Sequence, residues 1–430
     1  MKTTTVLGLS ASLRAKSPYL DITQLLEKYN PTDLDSVLAI IKDSNLTNSD
    51  ASLLIALWNA KKMGATIGNV NLLRHFRTNN NVAHQDELEK ILQQADAIII
   101  ATPVYFGNAS SLFQKLVQFI ANNKQVKKSL EGKIFAGIAV GAKRNGGQET
   151  SLVYMMIDMM NLGMVTLGNG ADTTAQYGGT VVAGGKGSMC SDEFGIQCSA
   201  GLGKHVAIIA QHYHDEQIRN TPIAFDFWML QEQHKEVENY IKPFIKNLEQ
   251  EGVNATLKEI YNTHIINCLA CDECPDPSST YGCIVSKSRD YLLQSNQDLL
   301  KAEVIVPIMY SPKDNVNIES MAQIFIERGR FIRRDNYRLS QKLIIPLVFS
   351  DISKNEHLDL RMITALIRHN TIIYKPINGI LYNGVLLNGE EINLHLQQAL
   401  EWAKSHIVED SSDITHLNLT YNPIGYEATI

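Results

Sequence analysis

The stretch "GKIFAGIAVGAKRNGGQET", residues 132–150, decides the fold class. Its first half is a continuous apolar run, which is typical of a strand buried on both faces of a parallel sheet. Glycines, cations and carboxamides follow directly, and a helical pattern then begins at "TSLVYMMIDMMNLG". A strand that ends in such a loop and continues into a helix predicts a doubly wound parallel α/β sheet.

Two earlier segments repeat this order of strand, small-residue loop and helix. They begin with "TTVLGLSAS" at residues 4–12 and with "AIIIATPVY" at residues 97–105. In sheets of this kind, ligands bind outside the carboxyl ends of the strands. The three loops are therefore expected to lie side by side and to form one site.

The second half of the chain repeats the pattern of the first. The chain has 430 residues, of which 44% are hydrophobic, so two domains can each bury a core. "ADAIIIATPVYFG" is similar to "AEVIVPIMYSPKD", and "GKIFAGIAV" to "QKLIIPLVF". We predict a duplication with domains at 1–217 and 218–430, the alternative being the general likeness of α/β folds. Residues 15–47 are predicted to be a helical insertion, either a surface decoration or a cap over the site.

Composition and charge argue against several classes of function. The formal net charge of −6 offers no basic surface for nucleic acid. No apolar run is long enough to span a membrane, and the first residues are too polar for a signal peptide, so we expect a cytoplasmic protein. The segment "HYHDE", residues 212–216, is interpreted as a charged helix end and not as a metal motif.

The first loop has the chemistry of a phosphate site. Ser10, Ser12 and Arg14 follow the first strand, and Asn48 and Ser49 begin the next long helix. Hydroxyls, a guanidinium and a helix N-terminus together suit a phosphate monoester. The spacing is neither GxGxxG nor a Walker loop, which disfavours a pyrophosphate. Ordinary helix capping is the structural alternative.

The second and third loops suit a planar ring. Pro103, an aromatic pair and Gly107 form the second loop, which could equally be a turn with core aromatics. In the third loop, Gly146 and Gly147 permit close backbone approach. The neighbouring residues 143–148 add two cations and two carboxamides, for which a solvated charged turn is the alternative.

Together these segments resemble the flavodoxin-like NAD(P)H-dependent FMN reductases over about residues 3–215. "QYGGT" and "DEFGIQCSAGLGKHVAIIA" fit the same family. The resemblance implies FMN as cofactor, NAD(P)H as electron donor and a homodimer. It implies phosphate contacts from Ser10, Ser12, Arg14, Asn48 and Ser49. It implies ring contacts from Pro103, Val104, Tyr105, Phe106, Gly107, Lys143, Arg144, Asn145, Gly146, Gly147, Gln148, Tyr177 and Gly178.

The chemistry expected of these residues is mainly electrostatic. Flavin accepts hydride at N5, and the reduced ring carries negative charge near N1 and O2. Lys143 or Arg144, with the N–H groups of Gly146 and Gly147, is predicted to stabilise that charge. Tyr105 is the nearest candidate for a proton donor.

Four of the six cysteines form the pattern C-x2-C-x2-C-x8-C, at Cys268, Cys271, Cys274 and Cys283. This spacing can hold a [4Fe–4S] cluster, and it resembles the cysteine segment of iron–sulfur flavoproteins. Zinc and free thiols are the alternatives. The two other cysteines, Cys190 and Cys198, are interpreted as packing residues.

We predict one flavin per chain, because the second half lacks comparable loops. "FDFWMLQEQHKE" and "VFSDISKNE" stand where the first half has its hydroxyls and glycines. The sequence thus predicts an FMN-dependent oxidoreductase that takes hydride from NAD(P)H. Its electrons would pass to a small organic acceptor or a neighbouring redox centre. The alternatives are an FMN/iron–sulfur electron-transfer protein without an organic substrate, and a non-enzymatic binding protein.

Overall fold

A computed structural model describes most of the chain. The described residues are 4–14, 21–77, 82–169, 177–185, 188–214, 221–232, 235–271, 273–274, 283–284, 289–311, 320–334, 337–351 and 357–407. They fall into two compact units, one within Met1–Asp215 and the other within Glu216–Tyr421. The predicted boundary at residue 217 lies outside the described residues. Among the described helices, none combines the length and apolar character needed to cross a membrane.

The elements of the first unit alternate as the sequence predicts. Its strands are β1 (Thr5–Ser10), β2 (Thr66–Asn71), β3 (Ala97–Pro103), β4 (Ile134–Gly141), β5 (Val165–Leu167) and β6 (Gly179–Val182). Its helices are α1 (Ile22–Tyr29), α2 (Leu34–Asp43), α3 (Asn48–Lys62), α4 (Gln85–Gln94), α5 (Ser111–Asn122), α6 (Lys124–Leu130), α7 (Gln148–Asn161) and α8 (Glu193–His214).

The strands of the first unit form a parallel sheet in the order β2–β1–β3–β4–β5. This is the flavodoxin-like order, and it confirms the predicted fold class. β5 pairs with the start of β4, whereas β6 pairs with its end, so the two share the outer side of β4. All eight residues of β4 are buried, as the continuous apolar run predicts.

The described part of the insertion packs on the outside of the unit. Asp21 caps α1, and Asp33 and Ser36 form a capping box at the start of α2. The insertion lies against α3 and β2, and the Trp58 indole N–H donates to the carbonyl of Pro31 at 3.1 Å. Helix α2 also contacts residues 188–191, the segment to which the side chain of Asn48 is hydrogen-bonded. Both the surface decoration and the cap over the site stay predictions.

The second unit has the same alternation. Its strands are β7 (Ala224–Gln231), β8 (Asn254–Glu259), β9 (Val304–Ser311), β10 (Leu343–Ile344), β11 (Leu347–Asp351), β12 (Ile372–Ile373), β13 (Ile377–Tyr382) and β14 (Val385–Leu386). Its helices are α9 (Glu236–Gln250), α10 (Tyr291–Lys301), α11 (Ser320–Arg328), α12 (Arg330–Arg334), α13 (Leu358–Leu366) and α14 (Gly389–His406).

The sheet of the second unit repeats the strand order of the first. β8 pairs with β7, β7 with β9, and β9 with both β10 and β11. β12 and β13 then continue beside β10 and β11, and β14 closes the series antiparallel to β13. β10 and β11 together take the place of one strand, and so do β12 and β13. With each of these two sets counted as one strand, the parallel order is again 2-1-3-4-5. The shared order supports the duplication.

The contact between α3 and α8 sets a strict steric limit in the first unit. A Cβ added to Gly203 of α8 would lie 1.9 Å from the carbonyl oxygen of Ala56 in α3. Because this neighbour is backbone, it moves only if the helices separate. Gly203→Ala is therefore expected to destabilise the unit by about 1–3 kcal/mol, the usual cost of overpacking.

Thermal and urea unfolding of the full chain measure this effect. Gly184→Ala is the matched control, since a Cβ at Gly184 meets nothing within 4 Å. Equal stability of the two variants would show that α3 and α8 do not pack as described.

Candidate functional site

The loops after β1, β3 and β4 are held together at one edge of the first sheet. The N–H of Ala11 donates to the carbonyl of Ala101 at 2.8 Å, and the buried hydroxyl of Ser110 donates to the carbonyl of Ala11 at 2.6 Å. On the other side, the N–H of Val104 donates to the carbonyl of Val140 at 2.9 Å. The structure thus brings the three predicted loops into one contiguous surface.

The first loop lies beside the N-terminus of α3. The hydroxyl of Thr47 accepts from the N–H of Asp50 at 3.2 Å and caps the helix. The N–H groups of Asn48 and Ser49, in the first turn, have no acceptor within the helix. Ser12 accepts from the N–H of Arg14 at 3.4 Å, which bends the loop back on itself. This combination fits an anion.

The side chain of Asn48 does not serve as a free phosphate ligand. Its amide nitrogen donates to the carbonyl of Gly185 at 2.7 Å, and its oxygen accepts from the N–H of Met189 at 3.3 Å. Asn48 therefore ties α3 to a segment far along the chain. Its backbone N–H is the group that remains for an anion.

Asp50 is a buried acid near this anion site that sequence reasoning missed. Its side chain is 6% exposed, and burial raises its pKa, while hydroxyls of Ser10 and Thr47 act in the opposite direction. The Ser10 hydroxyl lies close enough to the Asp50 carboxyl to lower its pKa, but it forms no hydrogen bond with any described residue. An acid in the first turn of a helix is common, so the sequence carried no signal of its burial.

The second loop is a tight two-residue turn. The N–H groups of Tyr105 and Asn108 donate to each other's carbonyls, at 2.9 and 3.0 Å respectively. Phe106 has φ 53° and Gly107 φ 78°, the left-handed values of a type I′ turn. The Phe106 side chain is 103% exposed at the tip, so the interpretation of a core aromatic is wrong for this residue.

The third loop meets the second through two glycines. Asn145 has φ 58° and Gly147 φ 95°, and the N–H of Gly146 donates to the carbonyl of Lys143 at 3.1 Å. A Cβ at Gly147 would lie 3.0 Å from the Cα of Gly107. Any larger residue would push the loops apart. The Gly146 N–H is used inside this turn, which leaves the Gly147 N–H as the candidate for stabilising flavin charge.

Gln148 serves the loop itself. Its side chain is 3% exposed, and its amide nitrogen donates to the carbonyl of Lys143 at 2.8 Å and to that of Val181 at 3.2 Å. The carboxamide therefore joins the third loop to β6. The buried side-chain oxygen of Gln148 has no hydrogen-bond partner among the described residues, and its predicted ring contact stays a prediction.

Arg144 is also engaged within the protein. Its guanidinium forms an ion pair with Asp192, donates to the carbonyl of Thr180 at 3.1 Å, and lies 4.8 Å from the ring centre of Phe194. Asp192 in turn accepts from the N–H of Val182 at 2.6 Å. The charge of Arg144 is thus balanced locally. Lys143 is exposed and makes no ion pair in the described part of the chain.

Tyr177 and Gly178 lead into β6 beside β4. Gly178 has φ 136°, and a Cβ there would lie 2.3 Å from the carbonyl oxygen of Gly137. Only glycine allows the backbone to approach β4 so closely. This contact positions Tyr177, which is half-buried, at the start of β6.

The corresponding position of the second unit is filled by a carboxylate. Glu232 follows β7, is 4% exposed, and accepts from the N–H groups of Val237 and Glu238 at 2.8 and 3.1 Å. It therefore occupies the N-terminus of α9 as a phosphate would. Burial raises the pKa of Glu232, and the nearby acids Glu236 and Glu238 add to this. This geometry gives a physical reason for predicting no flavin in the second unit.

The predicted metal site at the four clustered cysteines stays a prediction. Cys268, Cys271 and Cys274 are half-buried and Cys283 is buried, but no group of three or more potential ligands among the described residues is placed to hold a metal. A hydrogen bond with Cys283, together with burial, raises the pKa of Cys274. Of the remaining cysteines, Cys198 is buried, in agreement with packing.

Arg328 of α11 contacts both ends of the cysteine segment, and one of these contacts is a buried ion pair. Arg328 and Asp290 are 1% and 0% exposed and lie 2.7 Å apart. Arg328 also donates to the carbonyl of Ile266 at 2.5 Å, and the N–H of Tyr291 donates to the carbonyl of His264 at 2.9 Å. Buried polar contacts therefore hold the two ends of the cysteine segment, at residues 264–266 and 290–291, close together.

Comparison with known proteins finds relatives of the first unit. Residues 4–177 match the family model described as NADPH-dependent FMN reductase, which confirms the resemblance predicted from the sequence. An iron-sulfur flavoprotein of Methanocaldococcus jannaschii is 36% identical over 126 residues, which are 29% of this chain and 64% of that protein. An NAD(P)H dehydrogenase (quinone) of Aromatoleum aromaticum is 32% identical over 130 residues, 28% of this chain and 62% of that protein.

The chain thus spans just under two thirds of the length of these two relatives. Among solved structures, a WrbA-like flavodoxin from Agrobacterium tumefaciens is 18% identical with a TM-score of 0.31, and the match covers 49% of this chain and 98% of that one. A flavone reductase is 16% identical with a TM-score of 0.33, covering 51% of this chain and 68% of that one.

Removing the buried carboxyl of Asp50 is expected to stabilise the chain near neutral pH. Burial raises the folded-state pKa above the ordinary value of 3.8, so ionised Asp50 destabilises the folded state. This cost is absent below the unfolded-state pKa and complete above the folded-state pKa. Asp50→Asn should therefore unfold at a higher temperature than the wild type near pH 7, by a margin that shrinks as the pH falls toward about 4.

Thermal unfolding between about pH 4 and 8 measures this margin. Asp35→Asn is the control, because Asp35 is exposed in the first turn of α2. A margin that is constant over this range, or that grows toward low pH, would contradict the burial of an acid at this position.

Proposed function

We propose that this protein is an FMN-dependent oxidoreductase that takes hydride from NAD(P)H and reduces a small organic acceptor or a neighbouring redox centre. The observation that carries the proposal is the junction of three loops at one sheet edge, where Gly107 of the second loop meets Gly147 of the third. The family match over residues 4–177 covers all three loops and supports it.

The described residues fit FMN in both halves of the site. Ser12, Arg14 and the N–H groups of Asn48 and Ser49 would hold the phosphate, because they combine hydroxyl, cation and helix N-terminus. The loop from Pro103 to Gly107 and the adjoining Gly147 would hold the ring, since the two glycines let the second and third loops meet as one flat stretch of backbone. When bound, FMN supplies the hydride-accepting centre.

The protein's own part in the reaction is to orient the ring and balance its charge. Lys143 is the cation left for the electron-rich edge of the ring, together with the N–H of Gly147. Arg144 is a positioning residue, because its ion pair with Asp192 fixes the segment beside the third loop. Tyr105, half-buried in the turn, remains the candidate proton donor.

The exposed Phe106 suggests the kind of acceptor. An aromatic side chain at the tip of the second loop offers a flat apolar surface next to the ring site. Such a surface suits another planar ring by offset or edge-on packing. The name of one relative, NAD(P)H dehydrogenase (quinone), gives a quinone as its acceptor. A quinone-like acceptor is therefore the class that we propose.

An anaerobic purification tests the proposal. The protein is expected to be yellow, with absorption bands near about 370 and 450 nm that fade when NADH or NADPH is added. A colourless protein that also fails to bind added FMN would overturn the proposal. Bleaching by dithionite but by neither nicotinamide would favour electron transfer without a nicotinamide donor.

Arg14→Ala is expected to weaken FMN binding by about 1.5–3 kcal/mol, the scale of a hydrogen bond to a charged group. Titration of apoprotein with FMN, followed by flavin fluorescence, measures the change. Lys128→Ala is the control, because it removes an exposed cation of α6 away from the loops. Equal losses in both variants would assign the effect to overall charge and reject the phosphate contact.

Substitutions of Lys143 and Arg144 by alanine are expected to have different effects. Lys143→Ala should slow bleaching by NAD(P)H and lower the flavin reduction potential while leaving thermal stability unchanged, since the side chain is exposed. Arg144→Ala should lower thermal stability, because Asp192 loses its partner. A shifted potential in Arg144→Ala at unchanged stability would reverse the two roles.

A second candidate is an FMN/iron–sulfur electron-transfer protein. Two observations favour it: the buried contacts that hold the two ends of the cysteine segment together, and the contact between Cys274 and Cys283. The described cysteines do not fit a preformed cluster, so this function requires them to rearrange. Iron and sulfide in a ratio of about 4:4 in anaerobically purified protein would support it, and their absence would leave the thiols unligated.

A further inference from the structure

A cavity in the second unit is lined by residues of β7, α11, α12 and α13. We call it the Trp228 cavity, after the β7 residue that forms part of its lining. Its empty space is about 470 Å³ with the open mouth included, which suits a single ring better than a larger ligand. All of its lining residues belong to the second unit, so it is separate from the candidate flavin site of the first.

The lining of the Trp228 cavity is apolar and carries no charge at neutral pH. Apart from Trp228, Gly329 and His369, each lining residue has a hydrocarbon or thioether side chain. His369 is 7% exposed, and its burial, together with nearby Arg333 and Arg368, lowers its pKa to about 3. Its imidazole is therefore neutral. A charged ligand would lose its hydration without gaining a charged partner in the lining, so the cavity selects an uncharged molecule.

Two aromatic rings make part of the lining suitable for a third ring. The rings of Trp228 and Phe325 have centres 5.4 Å apart and an interplanar angle of 78°. Such an arrangement presents a ring face beside a ring edge. A ligand ring can continue this edge-to-face packing, because aromatic groups prefer it to direct face-to-face stacking. The aromatic corner thus favours a planar aromatic ligand over an aliphatic one.

Two polar groups of the lining residues have no partner within the described part of the chain. The indole nitrogen of Trp228 and Nδ1 of His369 are both buried, and neither forms a hydrogen bond there. A buried polar group that stays unpaired is costly. A Cβ added to Gly329 would lie 3.4 Å from Nε2 of His369, so the imidazole edge lies beside a lining residue that has no side chain.

We propose that the Trp228 cavity binds a small neutral aromatic molecule that carries one hydroxyl group, a ligand of the phenol class. A hydroxyl oxygen accepts a hydrogen bond, which the indole N–H needs, and the same group also donates one. A neutral imidazole carries one N–H and one acceptor nitrogen, and a hydroxyl pairs with either. An aromatic carbonyl only accepts. A water molecule needs roughly two to four polar partners and finds few in an otherwise apolar lining.

The mouth of the cavity offers a residue at which the site can be closed. Among the lining residues, Ile326, Gly329 and Ala365 are half-buried, whereas Trp228 and Phe325 are buried. Ala365→Leu adds bulk at a position where part of the new side chain can remain in solvent. The substitution should therefore block the cavity without overpacking the core.

Fluorine NMR of the full chain with 4-fluorophenol and 4-fluorotoluene, each with and without added FMN, tests the proposal. 4-Fluorophenol is expected to bind the wild type with a dissociation constant of about 1 mM or lower. Ala365→Leu should weaken this binding at least about tenfold by steric exclusion. Thr364→Leu is the matched control and should leave it unchanged, since Thr364 is a half-buried neighbour on α13 that does not line the cavity.

His369→Leu separates the hydroxyl from the ring. It should weaken 4-fluorophenol binding at least about threefold while 4-fluorotoluene binds as it does to the wild type, because only the hydroxyl loses a partner. Circular dichroism checks that the variants are folded, and if His369→Leu is not, the comparison of Ala365→Leu with Thr364→Leu decides.

Three outcomes overturn the proposal. The first is a wild type that does not bind 4-fluorophenol, and the second is equal binding in Ala365→Leu and Thr364→Leu. The third is a ratio of 4-fluorophenol to 4-fluorotoluene affinity that a folded His369→Leu leaves unaltered. Binding that Ala365→Leu retains and added FMN abolishes belongs to the first unit and likewise rejects the Trp228 cavity as the site.

Discussion

The side-by-side arrangement of β1, β3 and β4 is the constraint on which the candidate site depends. Parallel pairing brings their carboxyl ends to one edge, and contacts between Ser110, Ala11, Val104 and Val140 hold the following loops there. Each contact uses backbone atoms on at least one side. The chemistry is carried by short polar and glycine-rich segments on a rigid apolar support, as is general for α/β folds.

The two units show how one strand order gives two different electrostatic environments. At the start of α3, a hydroxyl cap leaves the first N–H groups available for an external anion. At the start of α9, the carboxylate of Glu232 accepts those hydrogen bonds itself. A helix N-terminus favours negative charge from either source. A single internal acid is thus enough to replace an anion site with a self-contained cap.

Sequence patterns predicted the support better than the individual roles. Continuous apolar runs located the strands, and the loops that follow them were correctly expected to meet. The functions of Asn48, Asp50, Arg144 and Gln148 were not predictable in the same way. Apart from Asp50, each of them has a partner tens of residues or more away, as Arg144 has in Asp192. For Asp50 the missing quantity was burial, which depends on packing and not on local spacing.

The cysteine segment and the hairpin of β13 and β14 both show what local sequence cannot predict. Four cysteines at regular spacing predicted a ligand set, and only the tertiary structure shows that Cys274 and Cys283 contact each other. The hairpin sequence "NGILYNGVLLNG" does not by itself indicate an exposed apolar face, because it resembles an ordinary buried strand pair. Only cross-strand register shows that four of its side chains project from one open face.

The sequence by itself determined the doubly wound α/β class, the repeated pattern of its two halves and the three loops of the candidate flavin site. Periodicity and the local chemistry of glycine, proline and capping residues are properties of neighbouring residues, and they are readable without a structure. The tertiary structure alone decided which cation is neutralised, which acid is buried and which apolar face stays open. Those outcomes depend on residues that are distant in the chain and adjacent only after folding.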